Sequence, residues 1–414
     1  MTWRHATLGD FVTLQRGHDL PSQDRVSGSV PIMGSFGITG HHSKARAKGP
    51  GVTIGRSGAS IGVASYVESD YWPLNTCMYV TDFKGNNPRY AYYLLRTLNL
   101  ASHNSGSAQP SLNRNYIYPI EISFPERSYQ DRVSDLLGSL DDKIELNRRL
   151  NETLEAMARA LFRDWFVNFG PTRRQTEGAT DPVDILGDAF PPKKSIELAR
   201  LFPKTLGEDG LPTGWTKKPV GELSKIVGGG TPNTKAEEFW KNGVHLWATP
   251  RDLSKLSGVF IRSTERLLTD AGLAKVSSGL SPAGSVLISS RAPIGYLAIA
   301  SEPIAVNQGF IVLRPTKTFP THFAKLWCEA NMETIEANAN GSTFQEISKR
   351  NFKPILATVP CRSVMEAFSE YVGLLFAKIE ANEKQNETLV DIRDLLLPKL
   401  ISGEIRLRDA ETIV

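Results

Sequence analysis

From Val133 onward, apolar residues interrupted by two asparagines return at alternating intervals of four and three: Val133, Leu137, Leu140, Ile144, Asn147, Asn151, Leu154, Ala158, Leu161 and Trp165. That is the heptad spacing of a helix burying a narrow seam against another helix. The spacing recurs at Phe368, Val372, Leu375, Ile379, Asn382, Asn386, Leu389, Arg393, Leu396 and Leu400. At ~1.5 Å per residue, runs of roughly 40 residues make helices of about 60 Å. Two seams in one chain can bury each other, so the pattern predicts long helices over 127–167 and 362–402 that pair as an antiparallel coiled coil. The residues expected to meet are Leu140, Ile144, Asn147, Asn151 and Leu154 with Leu375, Ile379, Asn382, Asn386 and Leu389. An asparagine in a seam costs stability unless it meets a polar partner, so these four read as register devices rather than ligands.

The two helices are copies. KIELNRRLNETL, starting at Lys143, and KIEANEKQNETL, starting at Lys378, agree at eight of twelve positions with an offset of 235. The match extends upstream without a gap, GSAQPSLNRNYIYPIEISFP from Gly106 facing GSTFQEISKRNFKPILATVP from Gly341. Earlier still, RSGASIG at Arg56 faces SRAPIG at Ser290, Asn75 faces Asn307, and Trp3 with LGDFVTLQRG faces Trp215 with VGELSKIVGG. Before each helix, short β-like runs bounded by Gly, Pro and Asn predict strands: GVTIG, GVASYV, TCMYV and IEISF, then SVLIS, YLAIA and FIVLRP. Helical stretches near 89–100 and 321–338 interrupt them. The fold class is therefore α+β: two globular α/β domains in a pseudo-two-fold tandem repeat, separated by the two long helices. The boundaries read 1–126 for the first domain, 127–167 for its helix and 168–214 for a Gly-, Pro- and charge-rich linker. The second domain follows at 215–361, its helix at 362–402 and a C-terminal tail at 403–414. One frame with two different fillings suggests one geometry reading two different things.

Composition narrows the class. The chain has 414 residues, 40% hydrophobic and 22% charged, enough for two or more domains with cores of their own. No apolar run reaches the ~18 residues of a membrane span, and MTWRHATLGD lacks the apolar core of a secretory signal. Cys77, Cys328 and Cys361 share no close spacing, which points to a reducing cytoplasm rather than a disulfide framework. The net charge is only +4, so any nucleic-acid face must come from local clustering.

Catalytic signatures are missing. VGGGTP at Val227 has no phosphate-binding lysine, no Asn-Pro-Pro-Tyr tetrapeptide occurs, and no nucleophile elbow surrounds Ser57 or Ser290. His41 and His42, with no companion ligands, read as a solvated loop rather than a metal site. What the sequence does contain is a stretch from Arg25 to Val67 with five basic residues (Arg25, Lys44, Arg46, Lys48, Arg56) and no Asp or Glu. Glycines at 34, 37, 40, 49 and 51 would let backbone approach a phosphate. The candidate DNA-binding residues are Lys44, Arg46, Lys48, Arg56, Ser57, Asn113 and Arg114 in the first half. In the second they are Arg251, Ser290, Arg291, Lys349 and Arg350. For any single lysine, a solvated surface is the competing explanation; clustering favours nucleic acid.

Taken together, the duplicated unit, the KIE-x-N-x-x-x-NETL helices, GSAQPSLN and GSTFQEIS, ALFRDWFVNFGP from Ala160, LPTGW from Leu211 and LLLPKLISGEI from Leu395 resemble the specificity subunit of type I restriction-modification enzymes. The resemblance covers essentially the whole chain. It implies two target-recognition domains, each reading one half of a split, asymmetric sequence in double-stranded DNA. It implies helices that act as a spacer and dock two modification (adenine methyltransferase) subunits, to which two restriction subunits can be added. The chain itself would be non-catalytic and bind no cofactor; S-adenosylmethionine, ATP and Mg would sit on the partners, in the cytoplasm and away from any membrane. A duplicated DNA-binding scaffold of another defence system, with different partners, is the alternative.

Overall fold

The computed structural model describes residues 3–105, 111–187, 189–341 and 345–412. Residues 106–110 and 342–344, inside the motifs that precede each long helix, lie outside the described residues. The chain forms two compact units, Met1–Leu146 with Gln385–Val414, and Asn147–Lys384. Each unit therefore combines a globular domain with parts of both long helices.

In the first unit the strands Thr13–Arg16, Cys77–Asp82, Gly51–Gly55 and Ala64–Val67 form an antiparallel four-stranded sheet. Gly37–His42, Val30–Gly34 and Trp72–Pro73 form a second sheet, and Trp3–Thr7 pairs with Glu121–Pro125. The second unit repeats the plan. Lys225–Val227, Phe310–Arg314, Val286–Ser290, Ile294–Ala300 and Phe260–Ile261 make the larger sheet; Arg266–Leu268, His245–Ala248 and Ile304–Val306 make the smaller. Thr216–Pro219 pairs with Leu356–Val359, as the first strand of each domain returns to its last. The central strands are buried along their length, which is why they read as apolar runs rather than as alternation. The helical stretch expected over 321–338 is two helices, Thr321–Ala330 and Met332–Ala337, broken at Asn331.

The long helices are Arg127–Phe162, extended by one π-helical turn over Arg163–Val167, and Arg362–Ser402. Within the first unit Asp141 meets Arg393 at 2.7 Å and Asn386 Nδ2 reaches the Ile144 carbonyl at 3.5 Å; within the second, Asn382 Nδ2 donates to Asn151 Oδ1 at 2.7 Å. Ascending numbers on one helix meet descending numbers on the other, which is the antiparallel pairing the heptads predict. Leu140, Ile144, Asn147, Asn151, Ile379 and Asn382 are buried, while Leu154, Leu375, Asn386 and Leu389 are half-buried. The Asn151–Asn382 bond is buried, so sliding the helices by a heptad would cost about 1–3 kcal/mol for each amide left unpaired.

Two expectations change on contact with the structure. The segment 168–214 is not a bare linker: it carries helices Gly170–Thr176, Pro182–Leu186 and Pro192–Ala199 and packs into the second unit's core. Trp165, fully buried, meets Phe202 edge-on at 4.7 Å, and Phe190 meets Tyr371 at 4.6 Å. Three widely spaced apolar anchors, Phe190, Phe202 and Leu211, outweigh a composition that otherwise reads as connector. His42 is likewise not solvated. It is 5% exposed, accepts from the Val26 amide through Nδ1 at 3.0 Å, and packs edge-on against Trp72; its neighbour His41 is exposed, as alternation along a strand requires.

Candidate nucleic-acid interface

Antiparallel order brings alternate strand ends to one edge of each large sheet. In the first domain, Arg16 pairs with Met78, Gly55 with Cys77 and Ile54 with Ala64, so the segments after Arg16, after Gly55, before Cys77 and before Ala64 share that edge. The backbone there is tightly knit. Gly17 donates to the Cys77 carbonyl at 3.0 Å, and a Cβ on Gly17 would lie 2.1 Å from the Leu74 carbonyl oxygen, which leaves room for glycine only. Arg56 donates its amide to Thr76 at 3.0 Å and its guanidinium to the Asn75 carbonyl at 3.4 Å. Ser57 bridges to Ser111, and Leu112 donates to Arg56, which draws Asn113 alongside. Asn113 caps Arg114–Ile117, and Arg114 donates to the Leu14 carbonyl at 2.9 Å.

The other basic candidates of this half are spread out. Lys44, Arg46 and Lys48 are exposed on the segment after the strand Gly37–His42. Arg46 lies near His18, whose ring is shifted below the usual histidine range by burial and then by the Arg46 charge. Lys48 precedes Gly49, whose amide donates to Asp70 at 3.0 Å and whose backbone abuts Glu68 and Ser69. That is the opposite end of Gly51–Gly55 from Arg56, about 13 Å away at the rise of a strand. A stretch free of acid in the sequence thus meets acids in space.

The second domain gathers its candidates more closely. Ser290 pairs with Ile294 and donates its amide to Gly309 at 2.8 Å; Ile347 donates to Ser290 at 3.0 Å. Ser290 is buried, so its position fixes the loop and leaves the exposed Arg291 to face outward, 3.7 Å from Glu346. Ala292 has φ +55° where the repeat places Gly58 at +72°, so both loops make the same left-handed turn, once without a glycine. A Cβ on Gly309 would touch the Pro250 ring, which sets Arg251 beside this edge, 3.6 Å from Glu265. The Lys349 ammonium lies against Gly228, and a Cβ on Gly229 would overlap the Val306 carbonyl. Arg350 turns toward a separate recess with Asn338, Asn340 and Asn351.

The model of the family described as "Type I restriction modification DNA specificity domain" matches residues 1–156 and again 212–387, most of the chain. The chain belongs to that family. Among curated members, the type I restriction enzyme HindI specificity subunit of Haemophilus influenzae is 29% identical over 340 residues, 74% of this chain and 73% of that one. The MjaIX specificity subunit of Methanocaldococcus jannaschii is 30% identical over 184 residues, 44% of this chain and 42% of that one. A crystal structure of the S subunit of a type I restriction-modification system from M. genitalium superposes with a TM-score of 0.59 at 15% identity, covering 96% of both chains, and so shares the fold.

Each specificity domain thus presents one sheet edge where shared glycines hold different polar side chains. Gly17 and Gly229 stand at the 212-residue offset of Trp3 and Trp215, and the residues beside them differ: Asp19 bonds Asn75, whereas Thr231 bonds Gln308. His18, Asp19, Thr231 and Gln308 were not singled out from the sequence, although the glycine offset marks their place. Among the described residues no group of three His, Cys, Asp or Glu side chains could hold a metal ion. Burial pushes the Cys77 thiol up to about 12 and raises Cys328 further, so neither offers a thiolate at neutral pH. Among the described residues no helix is long and apolar enough to cross a membrane.

Proposed function

We propose that this chain is the DNA-reading subunit of a type I restriction-modification complex in the cytoplasm, non-catalytic itself. Each specificity domain reads one half of a bipartite, asymmetric target along its sheet edge. The paired helices hold a spacer of fixed length and dock two modification subunits, which carry S-adenosylmethionine and methylate one adenine in each half-site. Two restriction subunits, with ATP and Mg, add translocation and cleavage. The observation that carries this reading is the duplicated edge with unlike side chains: a common frame serves affinity, and differing groups serve sequence choice. Arg46, Arg56, Arg251 and Arg291 have the fork geometry to take guanine N7 and O6, whereas Lys44 and Lys349 bring a point charge to a base edge or a phosphate. Arg291 would exchange Glu346 for a base, a small cost because that ion pair is half-exposed.

The test is adenine methylation mapping in the native host with and without the gene. Deletion is expected to abolish one bipartite, asymmetric methylated motif. An unchanged methylome in a host that expresses the chain and its neighbouring methyltransferase would contradict the reading.

A further inference from the structure

The hairpin of Val30–Gly34 and Gly37–His42 ends in a turn whose chemistry does not serve folding. Gly34 pairs with Gly37, which leaves Ser35 and Phe36 at the tip. Tips of this kind take Gly, Asn or Asp, because those residues tolerate the turn and leave no apolar surface in water. Phe36 is 68% exposed, and Ile38, just inside the strand that follows, is 58% exposed. Among the described residues Phe36 and Tyr116 are the exposed aromatic rings, and both belong to the first domain.

The tip is held in place. A Cβ on Gly55 would lie 2.6 Å from the Ser35 carbonyl oxygen, so the turn is seated on the strand end that leads into Arg56. Gly55 also donates to the Val63 carbonyl at 2.8 Å, which brings the partly exposed Val63 to the same side. Arg25 approaches the hairpin at Gly40, with Nη1 3.8 Å from where a Cβ would begin. These contacts place two cations beside the hairpin, Arg25 along it at Gly40 and Arg56 next in sequence to the Gly55 seat. An apolar prominence in a cationic border fits duplex DNA, whose phosphates face the cations while its base stack accepts a ring. A protein groove would ask for a broader apolar patch.

We propose that Phe36 is an apolar wedge: when the first domain engages its half-site, the ring enters the base stack at one step, with Ile38 behind it, and opens that step. This rests on the DNA-reading function above. An opened step also lowers the cost of drawing a nearby adenine out of the stack for a methyltransferase.

The experiment uses the complex of the full chain with its modification subunits, on the target motif found by methylation mapping, with 2-aminopurine at successive positions other than the methylated adenines. With native chain, one step in the half-site read by the first domain is expected to brighten several-fold over free duplex. Phe36→Ala should abolish that signal and weaken binding on the order of tenfold, since stacking of one ring is worth ~1–3 kcal/mol. Phe36→Leu should keep part of the signal, and probes in the other half-site should not change. Equal brightness with native and Phe36→Ala chains, or no brightened step in the first half-site, would overturn the wedge. Failure of the native complex to prefer the target over a scrambled duplex would instead overturn the reading it rests on. The substituted side chain is exposed, so the variant's unfolding temperature should match native and exclude misfolding as the cause.

Discussion

Helix Pro88–Thr97 of the first unit and helix Thr321–Ala330 of the second occupy corresponding places, with Tyr90-Ala91 matching Phe323-Ala324 and all four buried. They grip the long helices by different chemistry. In the first unit the contacts are charged: Arg89 donates to Asp142 at 3.1 Å and to the Gly138 carbonyl at 3.2 Å, and the Tyr93 hydroxyl donates to Asp141 at 2.6 Å. Arg393, a charge placed in the seam, is satisfied by the same Asp141 at 2.7 Å. In the second unit the repeat position of Asp141 is Phe376. His322 stacks on that ring at 4.5 Å, and the Lys325 ammonium sits 5.3 Å from it while pairing with Glu155 at 3.3 Å and Glu329 at 2.9 Å. One contact is kept with its sign reversed: Arg96 with Asp394 at 3.7 Å becomes Glu329 with Arg159 at 4.0 Å. The backbone frame was copied, but the side chains that hold it diverged as pairs. An Arg96 placed in the second unit would face Arg159, so each domain fits its own place on the helices.

The sharpest way to break this comparison is to remove the buried cation. Lys325 is 3% exposed, and its loss leaves Glu155 and Glu329 with the more exposed Arg159 as the cation paired to both. Lys325→Met should cost the second unit ~3–5 kcal/mol in denaturant unfolding, and adding Glu329→Gln should restore a good part of it. A loss under about 1 kcal/mol would mean that this contact is as weak as an exposed ion pair.

A smaller effect separates the two grips by pH. Burial, then the nearby Lys325, lowers His322 to about 4, against a partial opposing pull from Glu380. The folded value lies below the usual 6.5, so the unfolded chain binds the proton more readily between those limits. Stability from this group is therefore intact above about pH 6.5 and falls as the pH drops toward 4, by roughly 2 kcal/mol at pH 5. His322→Gln should remove that part of the acid sensitivity of the second unit. An identical loss between pH 7 and pH 5 in both proteins would place the sensitivity elsewhere. Arg89, at the corresponding place in the first unit, does not titrate in this range.

The helices were readable because a heptad is a local pattern, and the strand Gly51–Gly55 because a buried strand is a continuous apolar run. Features made by tertiary contact were not readable. Asp141 and Arg393 lie far apart in sequence, and nothing near either shows that one satisfies the other. The helices after Asn168 were hidden because Phe190, Phe202 and Leu211 follow no single period. The basic stretch from Arg25 to Val67 groups Lys48 with Arg56, which the sheet puts at opposite ends of Gly51–Gly55. Position in a sheet edge is set by strand order, and strand order is not written in local composition. Conversely, the equal offset of Gly17 and Gly229 was present in the sequence, and both glycines sit tight against backbone at their sheet edges.

The central claim is that each domain reads its half alone while the shared helices set the distance between halves. It is tested most directly by exchanging residues 1–126 for the same segment of a relative with a different first domain, then mapping methylated adenines. The account predicts a motif in which one half-site changes, the other is retained and the spacer keeps its length. A change in both half-sites, or a new sequence with neither half retained, would contradict it.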